Sequence, residues 1–216
     1  MNPGLPTIAA VIFDFGGVVA THPAESQFAA IAHFLEADPA EFTRLFWQHR
    51  IPYDAGMDAT EYWSTVVDQL GLAWHPMLLP DLLTHEVALW NQFDDRVLDF
   101  AAHLQARGYY TGILSNLPRP LGEALRAKPG FLDPFDHHTF SYELGIVKPA
   151  AAIYLHSIDQ LGVAPEQALF LDDRVENVQG AREAGLHAEL YTDWEDLSET
   201  IAPRYGLPLP EVARRQ

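Results

Sequence analysis

Hydrophobic residues along the chain fall into two alternating patterns. Continuous apolar runs of strand length occur at IAAVIF (8–13), YTGIL (110–114), ALFL (168–171) and, less clearly, HAELY (187–191). Runs without polar alternation are typical of strands covered on both faces, as in a parallel sheet. Amphipathic stretches of helical period separate them: DRVLDFAAHLQARG, PAAAIYLHSIDQLG and RVENVQGAREAG, each closed by glycine. This alternation predicts an α/β fold with a doubly wound parallel sheet.

Residues 21–92 differ from the rest, because they show helical patterns and no convincing strand. DPAE (38–41) resembles a capping box with proline at the first helical position, and DATE (58–61) repeats the acidic cap. We therefore predict a core domain formed by residues 1–20 and 93–216, with a helical cap domain, 21–92, inserted after the first strand. Such an insertion lies over the carboxyl ends of the strands, where ligands bind in sheets of this kind.

Composition narrows the possible partners. The 216 residues include 13 basic and 30 acidic ones, a net charge of −17. A surface this acidic repels phosphate backbones and anionic lipid, which argues against nucleic-acid and membrane partners. The absence of cysteine excludes disulfides, thiolate metal sites and a cysteine nucleophile. The N-terminus lacks a basic region, and no apolar run approaches the roughly 20 residues of a membrane span, so we expect a soluble cytoplasmic protein.

Polar residues at four sites lie at the carboxyl ends of predicted strands or in the loops after them, and in a parallel sheet these positions converge on one edge. They are Asp14, Ser115 with Asn116, Lys148 in GIVKP, and Asp172 with Asp173. Alone, each suits an ordinary turn or helix cap. Together, three carboxylates repel one another, at about 4 kcal/mol per pair 4 Å apart for an effective dielectric of 20. Because Lys148 offsets only part of that repulsion, the pattern predicts a hard divalent cation such as Mg²⁺.

The same residues lie in segments that resemble a known family. DFGGV (14–18), ILSN (113–116), VKP (147–149) and FLDDRVEN (170–177), in this order and spacing, are similar to the four motifs of the haloacid dehalogenase (HAD) superfamily. The resemblance spans the whole core. The helical insertion occurs where the family's larger group of helical caps is inserted. The resemblance implies a Rossmann-like core with a helical cap, and a hydrolase of the phosphatase type.

The resemblance also implies roles for individual residues. Asp14 would be the nucleophile that forms an aspartyl-phosphate. Ser115 and the backbone N–H of Asn116, at a helix start, would bind the phosphoryl oxygens, and Lys148 would neutralise the nucleophile and the phosphoryl charge.

For the metal, the resemblance assigns Asp14, the backbone carbonyl of Gly16, Asp172 and Asp173. One of the paired acids would bind Mg²⁺ directly and the other through water, in an order that stays open. Asn177 matches a further polar position that orients these acids.

Gly16 departs from the family pattern. Its phosphatases usually carry an aspartate there that protonates the leaving group and then activates water, although a subset carries glycine. General acid–base catalysis typically contributes about 10²–10⁴-fold. Three explanations stay open: a good leaving group such as an acyl, aryl or anomeric phosphate, a substitute such as His22, or weak catalysis.

Two other functions compete with the phosphatase. A 2-haloacid dehalogenase would use the same nucleophile without a metal, but such enzymes usually have serine and asparagine where this chain has Asp172 and Asp173. A catalytically weak member that binds a metabolite or a protein is favoured only by Gly16. We therefore predict a Mg²⁺-dependent phosphatase acting on a small phosphorylated metabolite that the aromatic-rich cap selects. Arg50 in the cap is expected at the surface, with contact to a substrate anion as the alternative. The natural substrate and the oligomeric state stay open.

Overall fold

The structure is a computed structural model that describes residues 7–210. Its sheet comprises β1 Ala10–Phe13, β2 Tyr110–Ser115, β3 His137–Phe140, β4 Ala168–Asp172 and β5 His187–Leu190. The strands are ordered β3-β2-β1-β4-β5, and each neighbouring pair is parallel. The predicted doubly wound parallel sheet is confirmed. The ends of the predicted core domain, residues 1–6 and 211–216, lie outside the described residues.

The chain between β1 and the next core helix is helical. It forms α1 Glu25–Phe34, α2 Pro39–Gln48, α3 Arg50–Asp54, α4 Ala59–Gln69 and, after a 3-10 turn at Pro76–Leu78, α5 Leu79–Leu89. Residues 21–92 are all described, and no strand occurs among them. The acidic N-caps form, but Glu41 does not complete the capping box that DPAE resembles, because its carboxylate binds Arg44 instead. Asp38 accepts a hydrogen bond from the backbone N–H of Glu41, and Asp58 accepts one from that of Thr60.

The two connections between this helical insertion and the sheet run side by side. Ala20 and Phe93 form an antiparallel bridge, and the backbone N–H of Thr21 donates to the carbonyl of Gln92 over 2.9 Å. The insertion therefore leaves and rejoins the core at one place, beyond the carboxyl end of β1. These contacts support the boundaries 21–92 for the cap, and we keep the division into cap and core as a proposal.

Helices cover both faces of the sheet. They are α6 Asp95–Ala106, α7 Arg119–Ala127, the short α8 Ser141–Leu144, α9 Ala151–Leu161 and α10 Val175–Glu183, followed by helical turns from Trp194 to Arg204. Two hydrophobic clusters result, one on each face, and β1 is buried along its whole length between them. Among residues 7–210, no helix combines the length and apolar character that crossing a bilayer requires.

Candidate active site

The predicted site residues converge at the carboxyl edge of the sheet. Asp14 follows β1 directly, while Ser115 and Asp172 are the last residues of the neighbouring strands β2 and β4. A cavity of about 560 Å³ opens there, between the sheet edge and the cap. From the predicted set it is lined by Asp14, Gly16, Ser115, Asn116, Lys148 and Asp173, together with His22 and Asn177. Asp172 does not line the cavity and is fully buried beneath it.

Lys148 joins two of the carboxylates. Its Nζ lies 2.8 Å from Oδ1 of Asp14 and 2.6 Å from Oδ2 of Asp172, and it donates to the carbonyl of Leu114 over 3.1 Å. Burial acts to lower the pKa of the Lys148 ammonium, but the two carboxylates outweigh it and the pKa is raised. Lys148 is therefore a permanent buried cation at the centre of the site.

Lys148 alone does not fully neutralise the buried carboxylate of Asp14. Burial raises the pKa of its carboxyl to about 7; Lys148 opposes this shift and the charge of Asp172 adds to it. Its Oδ1 also accepts a 2.7 Å hydrogen bond from the backbone N–H of Phe15. A bound cation would favour the ionised carboxylate, which is the form that attacks phosphorus.

Asp172 and Asp173 have different surroundings. Both oxygens of Asp172 accept hydrogen bonds from Nδ2 of Asn177, at 3.0 and 3.1 Å, and Oδ1 also accepts one from the backbone N–H of Arg174. Asp173 is partly exposed and faces the cavity, and its Oδ2 lies 2.8 Å from Nε2 of His22. Asp172 is thus occupied by protein donors, whereas Asp173 is the more accessible of the two.

The donor set fits a hard cation. Asp14, Asp172 and Asp173 each offer an oxygen, and these oxygens lie within 4.8 Å of one another. Mg²⁺ typically takes one or two carboxylates and completes its octahedron with water and phosphate oxygens. Gly17 makes the approach possible: it has φ of 82°, and a Cβ there would lie 2.6 Å from Cγ of Asp173. This contact accounts for the second glycine of DFGGV.

Asn116 organises the loop that carries Lys148. Its Nδ2 donates to the backbone carbonyl of Lys148 over 3.1 Å, and its Oδ1 accepts from the backbone N–H over 2.8 Å. The expectation that Asn116 stands at a helix start was wrong. Pro118 is the N-cap and α7 begins at Arg119, because the residue before a proline, Leu117, is held away from helical geometry.

The cap contributes a polar cluster that sequence reasoning missed. Arg50 was expected at the surface, but it is buried, with Nε 2.7 Å from Oδ1 of Asp54 and Nη1 2.9 Å from Oε1 of Glu86. Arg50 and Asp54 both line the cavity. Their spacing of four residues on one helix was the available signal. Glu86, 36 residues beyond Arg50, had no local signal.

Comparison with known proteins agrees with this geometry. The family model described as haloacid dehalogenase-like hydrolase matches residues 8–185. D-ribitol-5-phosphate phosphatase of Bacteroides thetaiotaomicron is 27% identical over 199 residues, which cover 85% of this chain and 93% of that protein. Phosphoglycolate phosphatase of Nitrosococcus oceani is 32% identical over 83 residues, 38% of this chain and 37% of that protein.

Solved structures share the fold. A HAD family enzyme from Bacteroides thetaiotaomicron, in complex with magnesium and inorganic phosphate, superposes with a TM-score of 0.69 at 19% identity, covering 88% of this chain and 98% of that one. L-2-haloacid dehalogenase from Xanthobacter autotrophicus gives 0.67 at 22% identity, covering 91% and 83%. At these identities the likeness concerns the fold alone. The family model, in contrast, spans most of the chain, and the protein belongs to the haloacid dehalogenase-like hydrolase family, as its four motifs indicated.

Proposed function

We propose that this hydrolase is a Mg²⁺-dependent phosphatase that cleaves a small phosphate monoester through a phosphorylated Asp14. The family model and the phosphatases among its relatives support a hydrolase acting on phosphate monoesters. The observation that carries the proposal is the position of Asp173 within 4.8 Å of Asp14 and Asp172 at the cavity. An accessible third carboxylate beside a buried nucleophile favours a bound cation.

The chain's own residues divide the metal-binding task. Asp14, Asp173 and the backbone carbonyl of Gly16 would hold Mg²⁺, because they line the cavity. Asp172, which is fully buried and occupied by Lys148 and Asn177, would position those two groups and contact the ion only through water. When bound, Mg²⁺ supplies positive charge to the phosphoryl oxygens.

The reaction then runs in two displacements at phosphorus. An oxygen of Asp14 attacks phosphorus, and the bond from phosphorus to the leaving oxygen breaks. The leaving oxygen keeps that electron pair and takes a proton from solvent to depart as the alcohol. Lys148, the Ser115 hydroxyl and the backbone N–H of Asn116 stabilise the charge on the transferred group. Water next attacks the phosphorus of the aspartyl-phosphate, which releases inorganic phosphate and restores the Asp14 carboxylate.

The substrate is proposed to be a small phosphorylated metabolite. The cavity volume of about 560 Å³ lies within the range of small-molecule sites. A 2-haloacid dehalogenase would use no metal, and without a cation the carboxylates at the cavity floor would repel the acid group of a 2-haloacid, which counts against dehalogenase chemistry. Because one relative acts on D-ribitol 5-phosphate, that compound is the first metabolite to assay.

The deciding experiment is release of p-nitrophenol from p-nitrophenyl phosphate, with Mg²⁺ and with EDTA, by the wild type and Asp14→Asn. Asp159→Asn, an exposed aspartate on α9, is the matched control. We expect Mg²⁺-dependent turnover in the wild type and the control and none in folded Asp14→Asn. Turnover that survives EDTA, or that survives in Asp14→Asn, would refute the metal or the nucleophile assignment respectively.

A further inference from the structure

The indole of Trp90 occupies the space beside Gly16. A Cβ at position 16 would lie 2.9 Å from Cζ3 and 3.2 Å from Cη2 of Trp90. The indole is buried and packs against the rings of Phe15, at 6.2 Å between centroids, and His22, at 6.5 Å. No side chain fits at position 16 unless this ring moves. An aromatic surface therefore stands where a proton donor beside the nucleophile would stand.

The cap continues this apolar surface at the mouth of the cavity. Trp47 on α2 and Ile51 on α3 line the same cavity as Trp90 and are 44% and 69% exposed. Large apolar side chains left in water around a concave site mark contact with an apolar ligand. We call Trp47, Ile51 and Trp90 the apolar wall. At its inner end, Trp90 stands beside Gly16, two residues from Asp14.

The charged groups near the apolar wall are engaged with one another. Within residues 7–210, Arg50 contacts Asp54 and Glu86, and Nε of Arg174 donates to Glu176 over 2.7 Å. The cavity therefore has a polar floor around Asp14 and an apolar wall above it. A leaving group rich in hydroxyls would lose water contacts against the wall without replacing them.

We infer that the preferred substrates are aryl phosphates, whose aromatic ring contacts the apolar wall and whose phenolic oxygen needs no proton to depart. The inference rests on the proposed phosphatase function. A phenol ionises at a pKa of about 10, as tyrosine does, whereas an aliphatic alcohol is about as weak an acid as water, with a pKa of about 15.7. As the bond from Asp14 to phosphorus forms, the aryl oxygen keeps the electron pair of the broken bond. It leaves as phenolate and takes a proton from solvent.

The test compares two esters of equal shape. Phenyl phosphate and cyclohexyl phosphate have similar size and apolar character, but only the first has an acidic leaving group. We expect kcat/KM for phenyl phosphate to exceed that for cyclohexyl phosphate by at least about 10²-fold, the lower end of what general acid catalysis supplies. D-Ribitol 5-phosphate should also be cleaved more slowly than phenyl phosphate. Equal rates on these esters would overturn the inference and leave the phosphatase intact, whereas no turnover of any ester, p-nitrophenyl phosphate included, would refute the phosphatase itself.

Two variants test whether Trp90 excludes an acid at position 16. Gly16→Asp alone should give no gain on cyclohexyl phosphate. Gly16→Asp combined with Trp90→Ala should exceed Trp90→Ala alone by about tenfold or more on that ester. Circular dichroism and thermal unfolding establish that each variant is folded, and Trp90→Phe provides a milder change. A folded Gly16→Asp that gains activity with Trp90 intact would contradict the steric argument.

The outer part of the apolar wall is tested by binding. Trp47→Ala and Ile51→Ala should each raise KM for phenyl phosphate several-fold with kcat nearly unchanged. Met77→Ala is the matched control, because Met77 is 78% exposed on the cap and does not line the cavity. A wild type that cleaves phenyl and cyclohexyl phosphate equally, together with an Asp54→Asn variant that loses only the cyclohexyl ester, would instead assign a proton donor to the cap.

Discussion

The cap and the core each bury one cation between two carboxylates, but in the core a partly exposed third carboxylate, Asp173, stands beside them. In the cap, Arg50 binds Asp54 at 2.7 Å and Glu86 at 2.9 Å, and the hydroxyl of Tyr53 donates to Glu86 over 2.9 Å. Burial raises the pKa of both carboxyls despite the opposing effect of Arg50. In the cap, burial therefore disfavours the charged forms of the excess acidic groups, and Arg50 opposes that effect.

In the core, the excess of acidic groups lies at the edge of a cavity. Lys148 binds Asp14 and Asp172, and Asp173 adds a third acid that is partly exposed beside them. A cation from solvent can approach Asp14 and Asp173, whereas it cannot reach Glu86, which is completely buried. The comparison shows that the number of buried charges does not by itself create a metal-binding site. Such a site also requires access from solvent and carboxylate oxygens that are free to bind the ion.

Removing the core cation should have the largest effect. In Lys148→Met we expect turnover to fall by at least about 10³-fold, because charge on the phosphoryl group loses a buried partner. In EDTA the free energy of unfolding should fall by about 3–5 kcal/mol, since two buried carboxylates are left without a cation. Mg²⁺ should restore part of that stability and none of the turnover. Initial rates and urea denaturation measure both quantities.

Lys128→Met is the control for this substitution, because Lys128 is exposed and stands over the ring of Phe93. It should leave turnover unchanged. Retention of turnover within tenfold in Lys148→Met would show that Lys148 is only structural.

Removing the cap cation should act mainly on stability, although Arg50 also lines the cavity. Arg50→Met leaves Asp54 and Glu86 buried together, and we expect the free energy of unfolding to fall by about 3–5 kcal/mol. In contrast with the core, Mg²⁺ should not restore this loss, because Glu86 is completely buried and Asp54 alone of the two carboxylates faces the cavity. Urea denaturation with and without Mg²⁺ measures the difference, with exposed Arg107→Met as the control. Recovery by Mg²⁺ would show that the cap cluster also binds cations.

Sequence predicts the core better than the cap for a physical reason. Strands buried on both faces produce continuous apolar runs, and β1, β2, β4 and β5 were predicted from them. The edge strand β3, HHTF, was missed because it is short and half of it is histidine that is only partly buried. The hydrophobic pattern did not predict helix α7, since its sequence RPLGEALRA begins in a proline-rich turn, and the resemblance implied a helix start at Asn116, three residues before Arg119.

The residues of the site also divide into those that the sequence predicts and those that it does not. Residues placed at strand ends were found because parallel topology makes them converge, as Asp14 and Asp172 do. Long-range contacts made by cap residues have no such rule. Glu86 binds Arg50, which lies 36 residues earlier in the chain. Trp90 lies beside Gly16, although the helical insertion separates the two in sequence. Only coordinates reveal those pairs.

Binding of Mg²⁺ should stabilise the protein through the core cluster. At a concentration about 100 times its dissociation constant, an ion that binds only the folded state adds about 2.7 kcal/mol. We expect this gain in the wild type and a clear reduction in Asp173→Asn. Glu86→Gln should keep the full gain, because Glu86 is sealed within the cap. Thermal unfolding against Mg²⁺ concentration is the measurement, and an undiminished gain in Asp173→Asn would remove this residue from the metal site.

The smallest expected effect is the pH dependence of the folding stability that the cap cluster contributes. Burial raises the pKa of Glu86 above its ordinary 4.5, with Arg50 and Tyr53 opposing and Asp54 adding to the shift. The stability that protonated Glu86 contributes is present below 4.5 and is lost as the pH rises through the folded-state pKa. Glutamine carries no titratable proton, so its contribution to stability does not follow this pH dependence. We therefore expect Glu86→Gln to be about 1 kcal/mol less stable than the wild type near the bottom of this window and to overtake it at higher pH.

Urea denaturation of both proteins across the acidic to neutral range measures this crossing. Exposed Glu123→Gln is the control and should run parallel to the wild type. Asp54, whose pKa burial also raises, faces Arg50 and feels Lys148 and Arg174, and it is present in all three proteins. Its titration therefore contributes to every curve, and the change in slope between wild type and Glu86→Gln belongs to the cap cluster. Parallel curves would mean that ionising Glu86 costs no folding free energy. In that case Arg50 would fully neutralise two carboxylates in the cap, which Lys148 does not do in the core.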